Sequence, residues 1–195
     1  MKDMVLASAN KDKLKELRML IGSNGIVPIG ELIPKWDIEE TGLTLEENAL
    51  LKARAAAEAT GRTAIADDTG LFVWALGDAP GVYTARYAGE NCSYYDNTVK
   101  LLNALSGERN SNRRASFRTV IALVSPDGEE HVFEGSVDGL ITEVHSGKDG
   151  FGYDPVFFSM ELKKTFAECS SEEKNRVSHR ARAMHKLNEF LRSCS

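Results

Sequence analysis

Residues 63–87 read TAIADDTGLFVWALGDAPGVYTARY. A short apolar run, Ala64-Ile65-Ala66, leads into two adjacent carboxylates, Asp67 and Asp68; Thr69-Gly70 follows, and a second apolar run covers 71–76. A buried strand that ends on paired carboxylates sets fixed negative charge at a sheet edge, where a divalent cation and a phosphate ester can meet. The ordinary alternative is a strand closed by an Asp-rich turn. The Gly, Pro and aromatic residues interleaved over 77–87 read as an ordered loop, and Trp74 as a core or interface residue.

Upstream, Met4-Val5-Leu6-Ala7 is apolar, Ser8-Ala9-Asn10-Lys11-Asp12-Lys13 is polar, and Leu14, Leu17, Leu20 and Ile21 recur at helical spacing up to Gly22. The pattern is strand, tight turn, helix. Backbone N–H groups at such a helix start favour an anion. Ser8 and Asn10 add side-chain donors and Lys13 a cation, so SxNxxK is a candidate phosphate cradle; a plain helix cap with a solvated Lys13 is the other reading. Residues 26–29 predict a strand and 31–40 an irregular polar link. Thr44-Leu45-Glu46-Glu47 fits a capping box and predicts a helix over 45–60 that stops at Gly61. Asn48 and Lys52 share one face of that Ala-rich helix, and a lysine on its inner face needs a partner.

Downstream, 94–105 predicts a helix with Val99, Leu102 and Leu105 on one face, followed by a polar, basic loop over 106–114. Residues 115–125 and 130–144 alternate as strands around Pro126-Asp127-Gly128, a hairpin signal, and are expected to build a second lobe. In Gly150-Phe151-Gly152-Tyr153-Asp154 two glycines permit close backbone approach and two aromatics offer faces for a planar ring; a tight aromatic turn is the alternative. A single last helix is expected over 171–192, with Leu187, Phe190 and Leu191 as its core stripe. Lys174, Arg176, His179 and Arg180 cluster in its first turns, and a solvated charged face is the usual meaning of such a run.

The chain has 195 residues, 42% of them hydrophobic and 27% charged, which fits one domain or one domain of two lobes with a sizeable core. A net charge of −5 argues against a general nucleic-acid binder. Cys92, Cys169 and Cys194 are odd in number and widely spaced, without a CxxC, so neither a disulfide framework nor a zinc site is expected. There is no apolar leader after Met1-Lys2-Asp3 and no run near the ~20 residues that span a bilayer. The expectation is a soluble cytoplasmic protein that binds no membrane.

Taken in order, SANKDK, EETGLTLEENALLKA, ADDTGL with APGVYTARYAG, FGYDPVF and KNRVSHRARA closely resemble the Ham1/RdgB-type inosine triphosphate pyrophosphatase family, the XTP/dITP diphosphatases. The resemblance implies an α/β fold: a long, strongly twisted mixed sheet flanked by helices, with two lobes and a central cleft, in a homodimer. It implies Mg²⁺-dependent hydrolysis of ITP, dITP and XTP to the monophosphate and pyrophosphate. By position, Ser8, Ala9, Asn10, Lys11, Asp12 and Lys13 would hold the triphosphate with Lys52. Glu40 and Asp68 would bind Mg²⁺, and Asp68 would accept the proton, with Asp67 the other candidate. Thr69, where the family more often has Ser, would touch substrate. Phe151, Gly152, Tyr153, Asp154, Lys174, His179 and Arg180 would form the base pocket. Two other readings are a Maf-type pyrophosphatase of modified pyrimidine nucleotides, against which the SHR and FGYD segments speak, and a non-catalytic nucleotide sensor, against which the acidic pair speaks.

Overall fold

A computed structural model describes residues 4–21, 26–109 and 112–194. Apolar and β-branched residues build a mixed sheet in the order β2-β1-β3-β5-β6-β7-β8, with β4 paired to β3. Its strands are β1 (Met4–Leu6), β2 (Ile26–Pro28), β3 (Ala64–Val73), β4 (Pro80–Gly81), β5 (Arg114–Val124), β6 (Glu130–Ile141), β7 (Phe157–Ser159) and β8 (Lys164–Thr165). β1 runs parallel to β2 and β3, whereas β4 is antiparallel to β3 and β7 is antiparallel to β6 and β8. The helices are α1 (Lys11–Ile21), α2 (Ile29–Leu32), α3 (Leu45–Thr60), α4 (Tyr94–Ala104), α5 (Ser171–Val177) and α6 (His179–Ser193).

The chain divides into two compact units. The first takes the described residues up to Asp68, Thr119–Gly135 and those from Arg180 on; the second takes Thr69–Arg118 and Ser136–His179. Leu6, Leu17, Ile65, Ile121, Ala183, Met184 and Leu187 form the core of the first unit. Leu71, Leu101, Phe117, Val137, Tyr153, Phe157 and Phe166 form that of the second. Each fully buried Leu or Phe side chain in them contributes roughly 1.5–3 kcal/mol of transfer free energy.

Several expectations change here. β3 does not stop at the carboxylates: it is one strand of ten residues with Asp67 and Asp68 in its middle. The helical stop expected at Gly22 and part of the 106–114 loop lie outside the described residues. Ile29 opens a short helix instead of closing a strand. The hairpin turn forms, with Gly128 N donating to Ser125 O at 3.0 Å, but its strands do not belong to one unit. The buried side chains of α4 are Asn97, Thr98 and Leu101; of the expected stripe, Leu105 just past the helix end is buried, and Val99 and Leu102 are half-buried. Of the two readings of Trp74, core or interface, the core one falls: it is 44% exposed and lies under the Arg114 guanidinium, 5.9 Å from its ring. The single last helix is two, broken at Ser178, whose φ of −67° and ψ of 153° are extended.

A candidate nucleotide-phosphate site on the two faces of β3

α3 places the first group of side chains. Thr44 accepts from Glu47 N at 3.1 Å, and Glu47 Oε2 accepts from Leu43 N at 2.6 Å and Thr44 N at 3.2 Å, completing the expected capping box. Gly61, at φ 62°, ends the helix in the left-handed conformation that glycine adopts without strain. Ala49, Ala53, Ala56 and Ala57 are buried, and these small side chains let α3 lie against β1. Asn48 and Lys52, one turn apart, therefore point inward.

Lys52 Nζ meets Glu40 Oε1 at 2.5 Å and Asp68 Oδ1 at 3.0 Å. Asn48 Nδ2 donates to Asp68 Oδ2 at 3.4 Å, while Asn48 Oδ1 accepts from Gly42 N at 2.8 Å. Burial disfavours the charged Lys52, but Asp68, Glu40 and Asp67 more than offset it and hold its pKa above the ordinary lysine value. Asp68 goes the other way. Burial, with the Glu40 charge, holds its carboxyl above the usual range, because the Lys52 and Lys13 charges offset only part of that cost. Surrounding carboxylates thus raise the lysine, while burial raises the aspartate.

Successive strand residues face opposite sides of a sheet. Ile65 packs with Leu17 of α1 and Ala183 of α6, so Asp67, two residues on, faces those helices. Its Oδ2 meets Lys13 Nζ at 3.2 Å and Arg180 Nη2 at 3.5 Å, and Arg180 Nη1 also donates to Glu16 Oε2. The Asp67 side chain is wholly buried. Burial alone would raise its pKa, but Lys13, Arg180 and Lys52 together hold it far below the carboxylate range.

The 8–13 segment is capped by Asn10, whose Oδ1 accepts from Asp12 N at 3.0 Å and Lys13 N at 3.1 Å. Asn10 N in turn donates to Ser8 Oγ at 3.3 Å. Of the two readings of this segment the structure shows the helix cap, with Lys13 bonded to Asp67 and not simply solvated. Ala9, Lys11 and Asp12 are exposed, Ser8 and Lys13 half-buried. Thr69 is half-buried beside Asp68 in the chain.

In the second unit Gly150 and Gly152 take φ of 73° and 62°, and a Cβ at Gly150 would sit 2.2 Å from Asp154 Oδ2. Asp154 Oδ2 accepts from Phe151 N at 2.8 Å and from Lys174 Nζ at 2.5 Å, and Lys174 lies 5.0 Å over the half-buried Phe151 ring. His179 stacks on Phe117 at 4.6 Å. Lys174, His179 and Arg180 are 5%, 3% and 1% exposed, so of the basic cluster only Arg176 is solvated. Tyr153 offers no free ring face: it is a core residue whose hydroxyl donates to Thr84 O at 3.0 Å. Arg180, expected at the base, is clamped by Asp67 and Glu16. Sequence reasoning assigned no role to Glu16, although it lies three residues after Lys13 on the same helical face, or to Asn48, although it precedes Lys52 by one turn.

Among the described residues no group of three or more His, Cys, Asp or Glu side chains could hold a metal by itself. Glu40 and Asp68 do converge, both on the Lys52 ammonium. Two hard oxygen donors already arranged around a cation fit a Mg²⁺ that keeps waters and shares the substrate's phosphates, as that ion prefers. No described helix is long and apolar enough to cross a membrane.

The chain matches the model of the Ham1 family over residues 4–190. A dITP/XTP pyrophosphatase of Staphylococcus aureus (strain MW2) is 48% identical over 191 residues, covering 98% of this chain and 97% of the relative. A protein of that name from Staphylococcus epidermidis is 47% identical over the same length, with the same coverage of both chains. The solved structure of the Staphylococcus aureus Ham1 protein matches at a TM-score of 0.90 and 47% identity, covering 100% of both chains. A HAM1 protein structure from Coxiella burnetii matches at 0.89 and 43% identity, covering 99% of this chain and 100% of that one. Matches of this extent and identity show that the chain belongs to the Ham1 family.

Proposed function

We propose that this protein hydrolyses non-canonical purine nucleoside triphosphates (dITP, XTP and ITP) to the nucleoside monophosphate and pyrophosphate, clearing them from the nucleotide pool. The observation that carries the reading is the arrangement of Lys13 and Lys52 against Asp67, Asp68 and Glu40, in a family whose relatives are named for this activity. A triphosphate brings about four negative charges and needs cations that the protein has already positioned. Lys13 with the start of α1, and Lys52, offset that charge and orient the chain. Mg²⁺ held by Glu40 and Asp68 would supply further charge neutralisation and polarise the phosphoryl oxygens.

Water attacks the α-phosphorus, the bond to the β-phosphate oxygen breaks, and pyrophosphate leaves. The water's proton passes to the Asp68 carboxylate. Asp67 is the poorer acceptor, because its charge is fixed by Lys13 and Arg180 and its side chain is wholly buried. Base recognition rests on the 151–154 turn, Lys174 and His179. A buried donor that meets O6 of hypoxanthine or xanthine loses its partner against the amino group of adenine, which can reject the wrong base by ~10⁴-fold. The protein acts as a homodimer in the cytoplasm, a mass that light scattering would check.

Pyrophosphate release from dITP, XTP, ITP, GTP and ATP, with and without Mg²⁺, tests the reading. The expected result is metal-dependent turnover with the first three far above the last two. Comparable kcat/KM for ATP would refute it.

A further inference from the structure

The pair Glu40 and Asp68 is joined twice. One link is ionic: Lys52 bonds both carboxylates. The other is neutral. Asn48, 2% exposed, accepts the Gly42 backbone N–H with its oxygen and donates to Asp68 with its nitrogen. We propose that Asn48 is a positioning residue, an uncharged link that holds the Glu40-bearing loop and Asp68 in one geometry for a divalent cation. The proposal rests on the metal-dependent function above.

The two links differ in what a cation does to them. A divalent ion between Glu40 and Asp68 competes with the Lys52 ammonium for the same oxygens. It does not compete for the Gly42 N–H, and the Asn48 amide goes to Asp68 Oδ2, not to either oxygen that bonds Lys52. The Asn48 link therefore persists when the ionic one is weakened, and it keeps the Gly42 end of the loop in register with Asp68. Neighbouring bonds support this. Leu43 N and Thr44 N are held by Glu47, so with Gly42 N on Asn48 the loop is docked onto α3 by backbone groups throughout. The fit is tight: a Cβ at Gly42 would lie 2.6 Å from Asn48 Oδ1 and 2.8 Å from Glu47 Cβ. Gly42 is thus the residue that lets Asn48 reach the loop.

This makes a coupled prediction from two positions. Mn²⁺ serves as the probe, its binding to the nucleotide-free protein followed by electron paramagnetic resonance. The Mg²⁺ concentration for half-maximal pyrophosphate release from dITP is the second readout. Loss of a hydrogen-bonding partner behind metal ligands costs about 10–100-fold in metal affinity or activity. Asn48→Ala should weaken both metal readouts about tenfold or more, with Lys52 intact. Gly42→Ala, which keeps Asn48 but pushes its amide away, should do the same. The double variant should be no worse than either single one, since both break one link.

A merely space-filling Asn48 predicts a lowered Tm with unchanged Mn²⁺ affinity, and that outcome overturns the proposal. So do additive effects of the two substitutions, or a wild-type protein that binds no Mn²⁺. Should Asn48→Ala fail to fold, Asn48→Ser and Gly42→Ala carry the same test. Wild-type protein that binds Mn²⁺ but turns over none of the triphosphates refutes the proposed activity instead, and the Mn²⁺ arm still judges Asn48.

Discussion

The two faces of β3 carry adjacent carboxylates in opposite electrostatic states. On the face toward α1 and α6, Asp67 is met by Lys13 and by an arginine that Glu16 also holds, so its charge is fixed. On the other face Asp68 shares Lys52 with Glu40, and burial pushes its pKa up. Same residue type, same strand, one position apart: the difference comes from which helix each face meets. On the proposed reading it leaves anchoring to Asp67 and chemistry to Asp68.

Removing each carboxylate breaks the comparison most directly. Asp68→Asn should lower kcat by about 10²–10⁴-fold, the range for losing a positioned general base, with little change in Tm. Unchanged turnover of dITP would sink that assignment. Asp67→Asn should do its damage to the fold. Taking one partner from a buried ion pair costs about 3–5 kcal/mol, because Arg180 stays behind in the interior. For a chain of this size that lowers Tm by about 2–4 °C per kcal/mol, measured by thermal melting.

pH separates the faces a second way. The folded pKa of Asp67 is depressed, so between it and the unfolded value of about 3.9 the unfolded state binds more protons. The stability Asp67 contributes is present above that unfolded value and is lost as pH falls through the folded one. Acid unfolding of the wild type should show that slope, and Asp67→Asn should lack it. Asp68, with a raised folded pKa, has the opposite sign: its ionisation costs stability as pH rises through the folded value. Asp68→Asn should therefore keep the wild-type acid slope. An acid slope retained in Asp67→Asn would show that its charge is not fixed as the geometry indicates.

A smaller effect is expected from Glu16→Gln. A hydrogen bond to a charged group contributes about 1.5–3 kcal/mol, and the variant keeps part of it, so Tm should drop by less than in Asp67→Asn. kcat should stay within a few-fold of wild type, because Glu16 supports the anchoring face alone. A kcat loss matching that of Asp68→Asn would join the two faces into one functional unit.

Much of this was readable from residues. Leu14, Leu17, Leu20 and Ile21 announce α1, and Thr44, Glu47 and Gly61 bound α3 to the residue, because periodicity and caps are local. Lys13 and Lys52 were legible as the charges that face the carboxylates, and they do meet them. What was not legible depends on partners far off in the chain. Asp67 and Asp68 look like a dyad in sequence, and only the continuation of β3 past them sends them to opposite faces. Lys174, His179 and Arg180 look solvated, yet Asp154, Phe117 and Asp67, at least 20 residues away, bury them. The break at Ser178 likewise has no Pro or Gly to announce it.

The smallest effect lies at the edge of the Asp68 face. Thr44→Ala removes the α3 cap and should cost about 1 kcal/mol. Glu47 still accepts from Leu43 N and can hold the loop, so Glu40 stays near Lys52 and kcat should be close to wild type. Glu47→Ala keeps the Thr44 cap, whose donor is the backbone N of residue 47, but frees Leu43 N and Thr44 N. Its stability loss should be similar, yet the Mg²⁺ concentration for half-maximal turnover should rise, because the loop bearing Glu40 is then docked by Asn48 alone. The two variants differ by the two bonds that the Glu47 side chain makes to the loop. Equal Mg²⁺ requirements for them would mean that loop anchoring does not set the metal geometry on the Asp68 face.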